Sequence, residues 1–168
     1  MYKYLLYFLI FSFLGWCVEV VFAVVKCGRF VNRGLLRGPV CPIYGIGICI
    51  SYLLLGSVGS FALLALFSMA IATIVEFAVG IFADKALGRR LWDYRGERGN
   101  ILGYVCPRFS LIWGVVCACV LKLLPRLDGL ISRLENSVAY AVSFVLLAVF
   151  VIDVKQSMKV KRAKRTIR

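Results

Sequence analysis

Charged residues are missing from long blocks of the chain, and those blocks predict its elements. Between Lys3 and Lys26 the only charge is Glu19, and at about 1.5 Å per residue that stretch is long enough to cross a hydrocarbon core of about 30 Å. From Gly38 to Val75 there is no charge at all, too long a run for one helix and suited to two. Gly56-Ser57-Val58-Gly59-Ser60 supplies the turn between them. This places a short second span near residues 41–55 and a third near 61–83, the third carrying Glu76. A fourth span is expected at about 101–121, with Arg108 inside it, and a fifth at about 136–154, ending on Asp153. Whether the short second span crosses fully or re-enters is left open by its length.

The expected fold is therefore all-α, a polytopic membrane helix bundle of about five transmembrane helices. Composition agrees, since 62% of the 168 residues are hydrophobic and the mean hydropathy is +0.90, far above that of soluble domains. The first block is too long for a cleaved secretory signal and lacks a small-x-small site after it.

The blocks repeat. "RGLLRGPVCP" (33–42) and "RGNILGYVCP" (98–107) share Arg, Gly, Gly, Val, Cys and Pro at matching positions, and Val18-Glu19 upstream is echoed by Val75-Glu76. Two helix-loop-helix units in parallel are expected, about 4–55 and 61–121, followed by the fifth helix and a polybasic tail over 155–168. Pro42 and Pro107 fit the first turn of the helices they open, where a missing N–H costs nothing and a fixed φ helps. Parallel repeats place corresponding residues at equal depth around a shared interface.

Charge assigns the sides. Lys26, Arg29, Arg33 and Arg37 of the first loop, Lys85, Arg89, Arg90, Arg95 and Arg98 of the third, and the tail cations would share one face; Lys3, Lys122, Arg126 and Arg133 are left for the other. The positive-inside rule then puts the amino terminus outside and the carboxyl terminus in the cytoplasm of a multi-pass protein. The net charge of +13 serves topology and attraction to anionic lipid, and nucleic acid is not expected as a partner. With no histidine and no C-x-x-C, neither a metal site nor a redox cofactor is expected.

Glu19, Glu76 and Arg108 fall at similar depth, about 10 Å inside the cytoplasmic boundary. Ionisable groups within spans are costly, so the layer needs a reason. One is a hydrated cavity in which Glu19 and Glu76 bind a cation or proton while Arg108, Arg33, Arg37, Arg98 and the helix entrances hold an anionic group. The other is interhelical glue. Asn32 and Asn100 in the entrance loops are candidates for capping backbone or touching substrate, and Trp92 and Asp93 for interfacial anchoring or ligand contact.

Gly15-Trp16 followed by Glu19, "FVNRGLLRGPVCPIYG" (30–45), Glu76, "LWDY" (91–94), Asn100 with Gly103, and Trp113-Gly114 together carry a resemblance. The chain resembles the family of small bacterial membrane proteins labelled "Putative ABC-transporter type IV". That resemblance implies a permease. No G-x-x-x-x-G-K-[ST] occurs, so any ATPase would be a separate subunit. A transport or channel component, alone or as a homodimer enclosing the pathway, is the leading expectation. A non-catalytic scaffold or regulatory subunit binding anionic headgroups is the alternative. Enzyme activity is not expected, because no nucleophile-base pair is evident.

Overall fold

The computed structural model describes residues 2–30, 36–88, 90–133 and 136–166. Asn32 and Arg33 lie outside the described residues. Among the described residues five helices follow one another: α1 (Tyr2–Cys27), α2 (Pro42–Leu55), α3 (Phe61–Leu87), α4 (Pro107–Ile131) and α5 (Asn136–Thr166). Among the described residues there is no strand, only an isolated antiparallel bridge between Ile101 and Val105. The stretches Lys3–Lys26, Phe61–Ala86, Pro107–Ile131 and Ser137–Ser157 are long and apolar enough to span a membrane, whereas α2 has 14 residues and is not. The protein is an all-helical, multi-pass membrane protein. Large apolar side chains such as Val25, Leu53, Ile74 and Phe144 lie exposed along the helices, as expected of surfaces whose solvent is lipid.

The chain forms two compact units, Met1–Gly45 with Ile131–Arg168, and Ile46–Leu130. In the first, α1 ends at Gly28, whose φ of 67° no L side chain adopts cheaply and whose N–H returns to the Val24 carbonyl (2.9 Å). The first loop, described at 28–30 and 36–41, ends beside the middle of α1. By Cys41 its N–H reaches the Ser12 carbonyl at 2.8 Å, and Ser12 lies about 22 Å along α1 from Cys27. Gly45 seals the contact, because a Cβ there would come within 2.3 Å of both the Phe8 carbonyl oxygen and the Ser12 hydroxyl. α2 is short because it begins beside the middle of α1.

The second unit repeats the plan. α3 ends at Gly88, φ 60°, whose N–H bonds the Ala83 carbonyl. The third loop (88–106) runs back past Asp84, Gly80 and Phe77, all of which touch Tyr104. α4 lies against α3 where a Cβ on Gly114 would come 2.6 Å from Met69 Cβ and 2.8 Å from the Ala65 carbonyl oxygen.

Pro42 and Pro107 are the first residues of α2 and α4, the position where proline is best tolerated. Several boundaries differ from expectation, α3 running on to Leu87 and α4 to Ile131. α4 starts at Pro107 and not Ile101, because Leu102 (φ 52°) and Gly103 (φ 73°) form a turn closed by the Ile101 N–H on the Val105 carbonyl (2.9 Å). α5 continues through the polybasic segment to Thr166, 31 residues in all. Lys and Arg are good helix formers, so nothing in that segment stops the helix.

Candidate functional site

Each unit holds a carboxylate against a tyrosine. In the first, Gly15 and Glu19 lie one turn apart on α1, and the Tyr44 ring occupies the space a Gly15 side chain would need: a Cβ there would be 2.2 Å from Tyr44 Cγ. Lying over Gly15, the phenol donates to Glu19 Oε1 at 2.8 Å. In the second unit, Glu76 is buried on α3 (7% exposed) and its Oε1 accepts from the Tyr94 hydroxyl at 2.9 Å. Tyr94 comes from the third loop and stacks on Phe109, ring centroids 4.8 Å apart. Phe109 is the repeat counterpart of Tyr44 at the 65-residue offset of the two entrance motifs. The two glutamates thus receive equivalent hydroxyls from non-equivalent positions.

Arg108 forms its ion pair with Glu97 rather than Glu76, at 3.7 Å, and its side chain is 70% exposed. Its guanidinium also sits 5.8 Å from the Phe109 ring centroid. Arg37 and Arg98 are exposed.

The third loop is wired to itself. Trp92 Nε1 donates to the Tyr104 carbonyl (2.7 Å) and the Tyr94 N–H to the Gly103 carbonyl (2.9 Å). Asn100 donates from Nδ2 to the Glu97 carbonyl (2.8 Å) and accepts the Gly103 N–H on Oδ1 (3.0 Å), so it acts as a turn cap. Asp93 accepts the Arg95 guanidinium (Nε, 2.8 Å) and backbone N–H (3.1 Å). The hydrogen bonds from Arg95 hold the Asp93 carboxyl down at about 2. Tyr104 donates to Asp84 (2.7 Å), which raises the phenol's pKa by favouring its protonated form. Arg90 closes the loop, with Nη2 on the Leu102 carbonyl (2.6 Å) and its guanidinium 4.7 Å from the Tyr104 ring centroid.

Asp153 has a role its position at the end of an apolar run did not reveal. Both of its oxygens accept the Gly38 N–H at 3.0 Å, and Ser157, one turn on, accepts the Arg37 N–H at 3.0 Å. α5 therefore holds the backbone of the first loop at two successive peptides. The only sequence signal was an acid near the end of a span, opposite a glycine whose partner could not be foreseen.

A family model described as "Putative ABC-transporter type IV" matches residues 6–158. The chain belongs to that family. The match takes in α2, α3 and α4 whole, most of α1 and α5, both entrance loops and Asp153. Comparison with curated proteins returns no match, nor does comparison with solved structures. Family and apolar helices together make this a membrane protein related to transport.

Proposed function

We propose that this chain is the membrane-spanning, permease-like component of a transporter. Its Glu19–Tyr44 and Glu76–Tyr94 pairs, each beside a loop that returns along its own helix, take up and release a proton or cation. The observation that carries this reading is the irregular backbone lying about 20 Å along the helices from their ends, at Cys41 beside Ser12 and at Cys106 beside Thr73. Non-helical backbone at membrane depth is tolerated where protein buries it or where it lines a watery cavity. Carboxylates about 12–17 Å from the same helix ends, each accepting from a phenol, suit a group that changes protonation as solute passes. The basic first and third loops and the polybasic end of α5 support a cytoplasmic carboxyl terminus in a bacterial membrane. They also offer charge to anionic headgroups and to a separate ATPase subunit. The chain works as a carrier and not as an enzyme.

Proton and small-ion flux into liposomes reconstituted with purified protein tests the proposal. Glu19→Gln and Glu76→Gln, each folded, should lose most of the flux, and Tyr44→Phe and Tyr94→Phe should reduce it less. Undiminished flux in both glutamine variants would sink the assignment of these carboxylates.

A further inference from the structure

The two repeats anchor their glutamate-bonding tyrosines differently, and the difference begins with packing register. Gly45 of α2 meets Phe8 and Ser12 of α1, whose counterparts at the 57-residue offset of the paired glutamates are Ala65 and Met69. The residue that meets those two is Gly114, four past Ser110, the counterpart of Gly45 at the 65-residue offset. α4 has therefore slid by one helical turn, about 6 Å, relative to α2. Phe109, the counterpart of Tyr44, stacks on Tyr94, and Tyr94 supplies the hydroxyl to Glu76. The third loop anchors that tyrosine itself: Tyr94 gives its N–H to the Gly103 carbonyl (2.9 Å), and Gly103 gives its own to Asn100 Oδ1 (3.0 Å).

In the first unit the anchor is α5. Gly38, the counterpart of Gly103, gives its N–H to both Asp153 oxygens at 3.0 Å, and Arg37 gives its own to Ser157 at 3.0 Å. Ser157 is buried and its hydroxyl donates onward to Asp153 Oδ1 at 3.5 Å, which joins the two ties. One turn before Asp153, Phe150 packs edge-on against Phe8 of α1, ring centroids 5.4 Å apart, so α5 rests on the helix that carries Glu19. From Gly38 to Tyr44 the chain is short and stiff. Pro39 and Pro42 each lock φ near about −65°. The Val40 N–H turns back to the Gly38 carbonyl (2.8 Å), closing a γ-turn around Pro39. The Cys41 N–H bonds the Ser12 carbonyl (2.8 Å) and the Tyr44 N–H the Cys41 carbonyl (3.2 Å). Six residues on from Gly38, the Tyr44 hydroxyl reaches Glu19 Oε1 at 2.8 Å. A segment braced in this way passes a displacement along its length, where a glycine-rich one would absorb it.

We infer that Asp153, together with Ser157, is a positioning residue for Glu19: by holding Gly38 it sets where Tyr44 stands, and so whether the Glu19 carboxyl is bonded or open. The two carboxylates then have separate controls. Glu19 answers to α5, the helix that runs on through the polybasic segment to Thr166, and Glu76 answers to its own loop. The purpose of the link rests on the transport reading of Glu19; its existence rests on the bonds themselves.

Dicyclohexylcarbodiimide, a hydrophobic reagent that modifies carboxyl groups within bilayers, tests the link in liposomes holding the purified full-length protein. Peptide mass spectrometry follows the modified fractions of Glu19 and Glu76 separately, and a carboxyl held by a phenol reacts more slowly than an open one. Asp153→Ala should speed modification of Glu19 about threefold and leave Glu76 at its wild-type rate. Asp153→Asn, which keeps an acceptor oxygen, and Ser157→Ala, which removes only the second tie, should fall between. Tyr44→Phe should speed Glu19 as much as Asp153→Ala does, and the two together no further. A wild-type Glu19 rate in folded Asp153→Ala overturns the inference. So does an equal rise at both glutamates, which is general loosening, or full additivity with Tyr44→Phe, which is another route. Undiminished flux in Glu19→Gln alongside the expected rates keeps the link and removes the transport reading of Glu19. Lost flux in Glu19→Gln alongside a wild-type rate in Asp153→Ala does the reverse.

Discussion

Gly38 and Gly103 occupy the same place in the two entrance motifs, but different forces demand a glycine at each. At Gly103 the backbone itself is the reason: φ is 73°, and a Cβ would also come 2.7 Å from Arg95 Cγ. At Gly38 the reason is a neighbour, since a Cβ would come 2.8 Å from the Asp153 Oδ2 that accepts the Gly38 N–H. A double-mutant cycle separates them. Gly38→Ala should cost about 1–3 kcal/mol in wild type and markedly less beside Asp153→Ala. Gly103→Ala should cost a similar amount whatever stands at 153. Equal costs for Gly38→Ala in both backgrounds would remove Asp153 as the cause. Gly15→Ala should displace the Tyr44 ring, destabilise by about 1–3 kcal/mol and lengthen the Tyr44–Glu19 hydrogen bond, measurable by denaturation and by the phenol's infrared band. Asp93 yields a pH prediction. Its folded pKa of about 2 lies below the ordinary carboxylate value of about 3.9. The bonds from Arg95 therefore stabilise the loop fully above that ordinary value and are lost as pH falls through about 2. Amide exchange over 93–103 should stay slow at pH 4 and quicken near pH 2. The two glutamates were legible as lone acids in apolar runs. Their tyrosines were not, because Tyr44 and Tyr94 stand 25 and 18 residues away, across loops whose path no local pattern sets.

At the scale of elements, the helix entrances were the most legible feature, since Val-Cys-Pro before an uncharged run has one economical meaning and both prolines open helices. The direction of the loops was hidden: the first loop's length would suit an excursion into solvent equally well. Its return along α1 depends on Gly45 admitting close contact with Phe8 and Ser12 and on Asp153 holding Gly38, contacts spread over more than a hundred residues. The full length of the carboxyl-terminal helix was hidden because charge ends only its lipid-facing part, not the helix itself. Asp153→Asn weakens the acceptor and Asp153→Ala removes it. Both should leave the helix content of purified protein within a few per cent by circular dichroism while raising the labelling rate of a cysteine placed at Pro39 several-fold. Unchanged labelling would mean that the first loop holds its path without α5.

At the scale of the whole molecule, class and family were readable from hydropathy and motif, and residues 6–158 match the family throughout. The register difference between the repeats was not readable, because Ser110 aligned with Gly45 looks like an ordinary exchange of small residues until Gly114 is seen doing Gly45's work. The short second helix has a consequence for how the protein is made. A translocon recognises segments of about 20 apolar residues, and α2, with 14, falls short by itself. It has to enter the bilayer as a hairpin with the helix before it, so biogenesis must wait until residue 55 has left the ribosome. Truncating the first half of α1 should strand α2 outside the membrane even though its own sequence is untouched.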